Sequence, residues 1–152
     1  MTRVETIGLA MLAALLWITP GVAGEAQGRA EARAQADYMI HCQGCHVPDG
    51  SGFPGKVPDL RASLPQLLAR PGGRAFLVQV PGSAQSALSD ARLAETLNWM
   101  VRTFGADAHS RDFAAFTEDE VSALRATRLE NVSQRRADIL LQPETAGAPV
   151  AP

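Results

Sequence analysis

Apolar residues recur at helical spacing along most of the chain, and no segment shows the regular alternation that is typical of a half-buried strand. A first helix is predicted over residues 27–41, in which Ala34 and Tyr38 share one face. Shorter helices are predicted over residues 63–69 and 72–79. The pattern therefore predicts an all-α fold.

Capping residues predict two further helices. Ser89 is a favourable N-cap for a helix over residues 90–103. The apolar positions of this helix recur with helical period, at Leu93, Leu97, Met100, Val101 and Phe104. A last helix is predicted over residues 117–130, because Thr117 and Glu120 can form a capping box at its start.

Turn-forming residues mark the segments between and after these helices. Residues 47–55 contain three glycines and two prolines, which is typical of a loop. Pro81 and Gly82 are predicted to open a second loop. Residues 142–152 contain three prolines and several alanines, and this composition predicts a flexible tail.

The first 24 residues have the features of a secretory signal. Arg3 lies in a short polar segment, an apolar core follows over residues 7–18, and Pro20 breaks the predicted helix. Small residues at 21–24 offer a site for the signal peptidase. An uncleaved anchor is the alternative, but about a dozen apolar residues are too few to cross a bilayer. We therefore expect export to the periplasm and no membrane span after cleavage.

Size and charge restrict the remaining chain to one domain and exclude one class of partner. Removal of the leader leaves about 130 residues, which is the usual size of a single domain. The net charge is −2, and no basic patch with interleaved aromatic residues occurs, so nucleic acid is not expected as a partner. The predicted organisation is a signal peptide over residues 1–24, a domain over 25–105, a helical extension over 106–141 and the tail over 142–152.

The only two cysteines of the chain lie in one pentapeptide, Cys42-Gln43-Gly44-Cys45-His46. Two thiols at this spacing can form thioethers with the two vinyl groups of one porphyrin, and the next residue can bind the iron through its imidazole. The pentapeptide therefore predicts one covalent c-type haem, with its iron.

Two other kinds of site use similar residues. A dithiol redox pair normally opens the helix of a βαβ unit, but no strand is predicted before Cys42. A structural zinc site needs more ligands, and only His41 and His109 remain as candidates. Both alternatives fit the sequence less well than a haem.

With this motif in place, residues 27–104 resemble a class I cytochrome c. Tyr38 and Trp99 resemble the aromatic residues through which the first and last helices of that family pack together. The resemblance implies a small helical domain wrapped around one covalent haem, and here an extra C-terminal helix would follow.

The segment Pro58-Asp59-Leu60 resembles the Pro-x-Leu segment of the same family. The resemblance implies that the Pro58 carbonyl accepts a hydrogen bond from Nδ1 of His46, which leaves Nε2 for the iron. It also implies that the side chain of Leu60 packs on the haem.

The sequence departs from the family at the sixth iron ligand. This ligand is usually a methionine, often followed by proline, in the loop before the last helix, but Val80 stands at that place. Met100 is the first candidate, because its thioether suits iron and it lies far from His46 along the chain. Met100 could instead be an apolar core residue, and His109 or a vacant position are the further alternatives.

Two functions follow from these possibilities. A six-coordinate iron predicts a periplasmic one-electron carrier, not an enzyme, which would serve a dehydrogenase or a terminal oxidase. An open iron site predicts a small-ligand sensor or a peroxidase-like enzyme. Peroxide chemistry needs distal acid–base groups, and no such constellation is recognisable, although Arg70 and Arg74 could pair with haem propionates or solvent. The resemblance favours the carrier.

Overall fold

The computed structural model describes residues 21–105 and 113–145. Within these two ranges the chain forms eight helices and no strand, which confirms the prediction of an all-α fold. The helices are α1 Gly21–His41, α2 Gln43–His46, α3 Leu60–Leu68, α4 Gly73–Gln79, α5 Pro81–Ala84, α6 Asp90–Phe104, α7 Glu118–Arg125 and α8 Val132–Leu140. None of these helices has the length and apolar character needed to cross a membrane.

Several predictions concern residues outside the described ranges. They include the charged and apolar parts of the predicted signal peptide, the candidate ligand His109, and the end of the tail from residue 146. The chain divides into two compact units, Met1–Ala30 and Glu31–Pro152. The described part of the first unit is the start of α1, where the exposed side chains of Glu25 and Arg29 lie 4.0 Å apart.

Helices α1 and α6 are joined by a cluster of three aromatic rings. The ring centroid of Tyr38 on α1 lies 5.3 Å from that of Trp99 and 5.2 Å from that of Phe104, both on α6. Trp99 and Phe104 meet edge to face at 5.5 Å. This arrangement suits the quadrupoles of the rings and confirms the expected packing of Tyr38 on Trp99.

Ion pairs reinforce the same helix pair. The guanidinium of Arg92 donates two hydrogen bonds, of 2.6 and 2.7 Å, to the carboxylate of Asp37. The Asp37 side chain is only 7% exposed, so the bidentate bond keeps a nearly buried charge paired. Arg33 and Glu95 form a second pair nearer the solvent, at 2.6 Å.

Helix α6 begins and ends almost where its capping residues predict. The hydroxyl of Ser89 accepts a hydrogen bond from the backbone N–H of Arg92, and Gly105 caps the C-terminus. Its buried side chains include Leu93, Leu97, Val101 and Phe104, the residues that gave the helical period. Local signals were sufficient for this helix because they agree with its tertiary packing.

Two predictions about the connecting segments are wrong. Pro81 and Gly82 do not open a loop, because they form the first turn of α5, where the fixed φ of a proline at the N-terminus favours a helix. The helix that was predicted over residues 117–130 ends at Arg125, and a separate helix, α8, begins at Val132. The described part of the extension, residues 113–141, therefore contains two helices in place of one.

The two helices have separate N-terminal caps. The hydroxyl of Thr117 caps the helix by accepting from the N–H of Glu120, as the capping box predicts. The Glu120 carboxylate, however, pairs with the guanidinium of Arg74 on α4. Helix α8 has its own cap, in which the Asn131 side chain accepts from the backbone N–H of Gln134 at 3.0 Å.

Arg125, at the end of α7, holds the segment that connects α5 to α6. Its guanidinium donates to the backbone carbonyls of Ala84, Ser86 and Leu88, at 2.9, 2.5 and 2.7 Å. It also donates to the Asp90 carboxylate at 2.8 Å, and this bond is the main reason that the pKa of Asp90 lies below its usual value. One side chain of the extension therefore satisfies three backbone carbonyls in and beside this loop.

Replacing Arg125 with Gln should lower the free energy of unfolding by about 2–4 kcal/mol, because three carbonyls and a carboxylate lose their partner together. Denaturant unfolding of the haem-loaded protein measures this loss. The control is Arg128→Gln, since Arg128 is exposed and lines the same small cavity beside Arg125. Equal stabilities of the two variants would show that Arg125 does not hold the loop.

Candidate haem site

The Cys-x-x-Cys-His motif forms one tight helical turn directly after α1. The backbone carbonyl of Cys42 accepts from the N–H groups of Cys45 and His46, at 3.1 and 3.0 Å. Residues three and four positions apart lie on the same side of a helical turn, so both thiols and the imidazole share one side. The two cysteines are not joined in a disulfide, and Cys45 is exposed. This arrangement fits covalent attachment to one porphyrin, whose iron would lie against the imidazole.

The acidity of Cys42 argues against a dithiol redox site. Burial, together with the charge of Asp37 and the neighbouring Cys45, raises the pKa of the Cys42 thiol to about 11. Redox-active cysteines of Cys-x-x-Cys motifs have a lowered pKa, because the thiolate is the nucleophile. A thiol that stays protonated at neutral pH does not suit that chemistry.

The imidazole of His46 is fixed by the carbonyl of Pro58. The two groups lie 3.2 Å apart, between Nδ1 and the carbonyl oxygen. A carbonyl can only accept, so Nδ1 carries the proton in this contact and Nε2 has a free lone pair for a metal. Burial lowers the pKa of His46 more than this hydrogen bond raises it. The neutral imidazole is the form that can bind iron.

The loop after the motif brings Pro58 back to the histidine. The N–H of Gly52 donates to the His46 carbonyl at 3.2 Å. Gly52 has a φ of +64°, and a Cβ there would lie 2.5 Å from the carbonyl oxygen of Val57 and 2.7 Å from that of Pro58. Only glycine allows this close approach, so the position of the Pro58 carbonyl depends on Gly52.

Tyr38 anchors the other side of this loop. Its hydroxyl donates to the carbonyl of Val47 at 2.5 Å, and burial raises its pKa to about 12. Val47 has a φ of +54°, a left-handed conformation that a β-branched residue rarely adopts. The hydrogen bond from Tyr38 therefore helps to hold a strained residue directly after His46.

Asp59 begins the next helix and continues this support. Its side chain accepts from the N–H of Arg61 at 2.9 Å and caps α3. The Arg61 guanidinium pairs with both Asp59 and Asp49, at 2.7 and 3.2 Å, and lowers the pKa of Asp59. Leu60, the first residue of α3, is 6% exposed, and its N–H donates to the Gly50 carbonyl at 2.7 Å.

The structure thus brings together four of the predicted site residues, Cys42, Cys45, His46 and Pro58, with Leu60 in the adjoining core. Sequence patterns did not identify the roles of Tyr38 and Gly52 in holding the loop that places the Pro58 carbonyl beside His46. The glycine-rich loop was a signal for Gly52, but a bond from a tyrosine to a backbone carbonyl leaves no pattern in the sequence.

The segment before α6, where the family usually carries its sixth ligand, offers no candidate for it. The segment from Val80 to Ser89 is fully described, and none of its side chains can ligate iron. Met100 is buried, at 7% exposure, in the apolar core with Leu97 and Phe104. Met39, the other methionine of the described ranges, is 54% exposed.

The two arginines that the sequence offered to haem propionates have other partners. Arg70 donates to the Gln142 carbonyl at 3.1 Å and pairs with Glu144 at 3.1 Å. Arg74 pairs with Glu120, and its guanidinium lies 3.9 Å from the ring centroid of Phe116. Arg70 therefore connects the first part of the chain to the start of the predicted tail, and Arg74 connects it to the extension.

Comparison with curated proteins gives two relatives from Thermus thermophilus, both named cytochrome c-552. One is 33% identical over 119 residues, which cover 64% of this chain and 80% of the relative. The other is 32% identical over 112 residues, which cover 62% of this chain and 86% of the relative. No family model matches the sequence.

Proposed function

Because the chain belongs to the class I c-type cytochromes, haem-based electron carriers, we propose that it carries single electrons in the periplasm on one covalent haem c. The observation that carries this proposal is the His46 contact: its Nδ1 is held by the Pro58 carbonyl, so Nε2 is free for iron. The haem supplies an iron that changes its oxidation state by one electron.

The residues of the chain have separate roles in this proposal. Cys42 and Cys45 bind the porphyrin as thioethers, and His46 provides the proximal ligand. Pro58 orients the imidazole, and Leu60 packs against the haem. The aromatic cluster of α1 and α6 keeps the surrounding core rigid, which limits reorganisation when the charge of the iron changes.

Replacing both Cys42 and Cys45 with Ala should abolish covalent haem, while His46→Ala should leave a wrongly ligated or unstable holoprotein. Haem staining after denaturing electrophoresis, together with the absorption spectrum, measures both outcomes. The control is Gln43→Ala, which changes the same turn and leaves all three attachment groups in place. Covalent haem in the double cysteine variant would refute the proposed attachment.

The leader and the haem both support a periplasmic protein, since the motif predicts haem attachment after export. The mature chain should begin just after Ala23 or Gly24, and N-terminal sequencing of the periplasmic fraction measures this. An intact leader in the membrane fraction would refute cleavage and leave the haem assignment unchanged.

We propose a dehydrogenase or a terminal oxidase as the redox partner. Electron exchange between such an enzyme and this protein, followed by the change in haem absorption, would test this proposal.

For the sixth iron position we propose Met100. In the family, the loop before the last helix usually supplies this methionine, but here Val80 stands in its place. No residue from Pro81 to Ser89 has a side chain that can ligate iron. Met39 is exposed and stands three positions before Cys42, too near the proximal motif to reach the opposite haem face easily. Met100 is buried on α6, the helix that packs against the helix leading into the motif.

Replacing Met100 with Leu, a change that nearly preserves volume, should remove the sulfur-to-iron charge-transfer band and lower the reduction potential. It should also let carbon monoxide bind more readily. Met39→Leu and His109→Ala should leave all three properties unchanged. If Met100→Leu alters only stability, Met100 is a core residue, and a high-spin ferric spectrum of the native protein would favour a sensor or haem enzyme.

A further inference from the structure

A haem brings two propionate carboxylates into the protein, and these anions need cationic partners or water. This inference rests on the proposed haem. Arg70 and Arg74 already pair with Glu144 and Glu120, so the other cations of the chain are better placed to bind the propionates. One cavity of the described chain combines free cationic groups with a wall that belongs to the haem site.

This cavity, of about 500 Å³, lies between the segment Gly55–Pro58 and one face of α8. Lys56 and Arg136 contribute two positive charges to its lining, and Ser133 contributes a hydroxyl. None of the described residues that line it is acidic. An anion inside it would therefore meet cations and no carboxylate of the described chain.

The guanidinium of Arg136 is only partly satisfied. Its Nη2 donates to the hydroxyl of Ser63 at 3.0 Å, and Ser63 is buried on α3. Its Nε is shielded from solvent and has no hydrogen-bond partner in the described chain. A guanidinium stays charged at every relevant pH and presents adjacent N–H groups in a fork that matches a carboxylate. The side chain of Arg136 lines the cavity, and the described chain leaves its guanidinium incompletely hydrogen-bonded and without a carboxylate partner.

Lys56 adds a second cation at the opposite wall. Its ammonium forms no ion pair with a carboxylate in the ranges 21–105 and 113–145. Lys56 and Arg136 therefore face one cavity from two different segments, and neither charge is neutralised by the described protein. Two unpaired cations around a concave site favour a compact anion.

The cavity adjoins the proximal side of the haem site. Pro58 contributes to its wall, and the carbonyl of the same residue orients His46. The propionates of a haem leave the ring from the two pyrroles that carry no thioether, so they extend beyond the part held by Cys42 and Cys45. We propose that a haem propionate enters this cavity and binds Arg136, with Lys56 as the second cation.

This contact would connect α8 to the cofactor. A cation beside a propionate stabilises the iron form with less positive charge, which is the ferrous form, and so raises the reduction potential. Arg136 would bind the haem directly, through this propionate. Its partner Ser63 would hold the guanidinium in place before the carboxylate arrives.

The test uses the haem-loaded protein in its reduced, diamagnetic form, as the carbon monoxide adduct if the iron is otherwise high-spin. A nuclear Overhauser cross-peak between the Arg136 Nε–H and a propionate methylene is expected. Arg136→Gln should also lower the reduction potential, and Arg136→Lys should restore part of the loss. The control is Arg135→Gln, whose exposed side chain does not line the cavity and should leave the potential unchanged.

The outcomes distinguish a haem propionate from a free carboxylate in the cavity. They also distinguish a failure of the cavity proposal from a failure of the proposed function. If the cross-peak is missing while added citrate shifts the Arg136 Nε–H signal, the cavity binds a free carboxylate and the propionate assignment is wrong. Equal potentials of Arg136→Gln and Arg135→Gln would also overturn it. If Arg136→Gln fails to fold, the cross-peak of the unmodified protein still decides. If the purified protein contains no covalent haem, the proposed function itself is refuted, whatever the cavity binds.

Discussion

The hydrogen bond between His46 and the Pro58 carbonyl is the contact on which the site depends. It selects the tautomer of the imidazole and the direction in which Nε2 points. Burial alone would leave a neutral but rotatable ring, whereas the carbonyl gives it one orientation. The neighbouring structure can be understood as the means of keeping this carbonyl within 3.2 Å of Nδ1.

Several unrelated interactions serve that purpose. Gly52 lets two backbone segments approach more closely than a side chain would allow, and Asp59 begins a helix directly after Pro58. Tyr38 holds the backbone after His46, and the same ring packs against Trp99 and Phe104. The core of the two long helices and the geometry of the histidine are therefore coupled through one tyrosine side chain. A disturbance at the α1–α6 contact would be transmitted to the imidazole of His46.

Local signals predicted the elements whose packing agrees with their own sequence pattern. Helix α6 is an example, because Ser89, Gly105 and the apolar stripe between them all indicate the same boundaries. Helix α8 could not be predicted in this way, since Ile139 is its only fully buried residue and its stabilising contacts reach back to Ser63. The motif residues Cys42, Cys45 and His46 were predicted as a haem site from spacing alone, because covalent attachment of a porphyrin requires that spacing.

The remaining parts of the site depend on contacts that sequence spacing does not encode. The place of Pro58 beside His46 was expected only through a family resemblance, because its carbonyl is a backbone group that every residue possesses. No sequence pattern indicated that Arg70 would bind the start of the tail and Arg74 the extension, since arginines pair with whichever acceptors the fold brings near. Such long-range pairings distinguish this chain from a minimal domain that ends at Gly105.

The loop held by Arg125 has a consequence for the order in which the chain folds. The carbonyls of Ala84, Ser86 and Leu88 are separated from Arg125 by 41, 39 and 37 residues along the chain. Contacts over such distances form late, because the entropy of closing the intervening chain must be lost before the bonds are gained. Haem attachment can therefore meet a chain whose loop between α5 and α6 has not yet received its final hydrogen bonds.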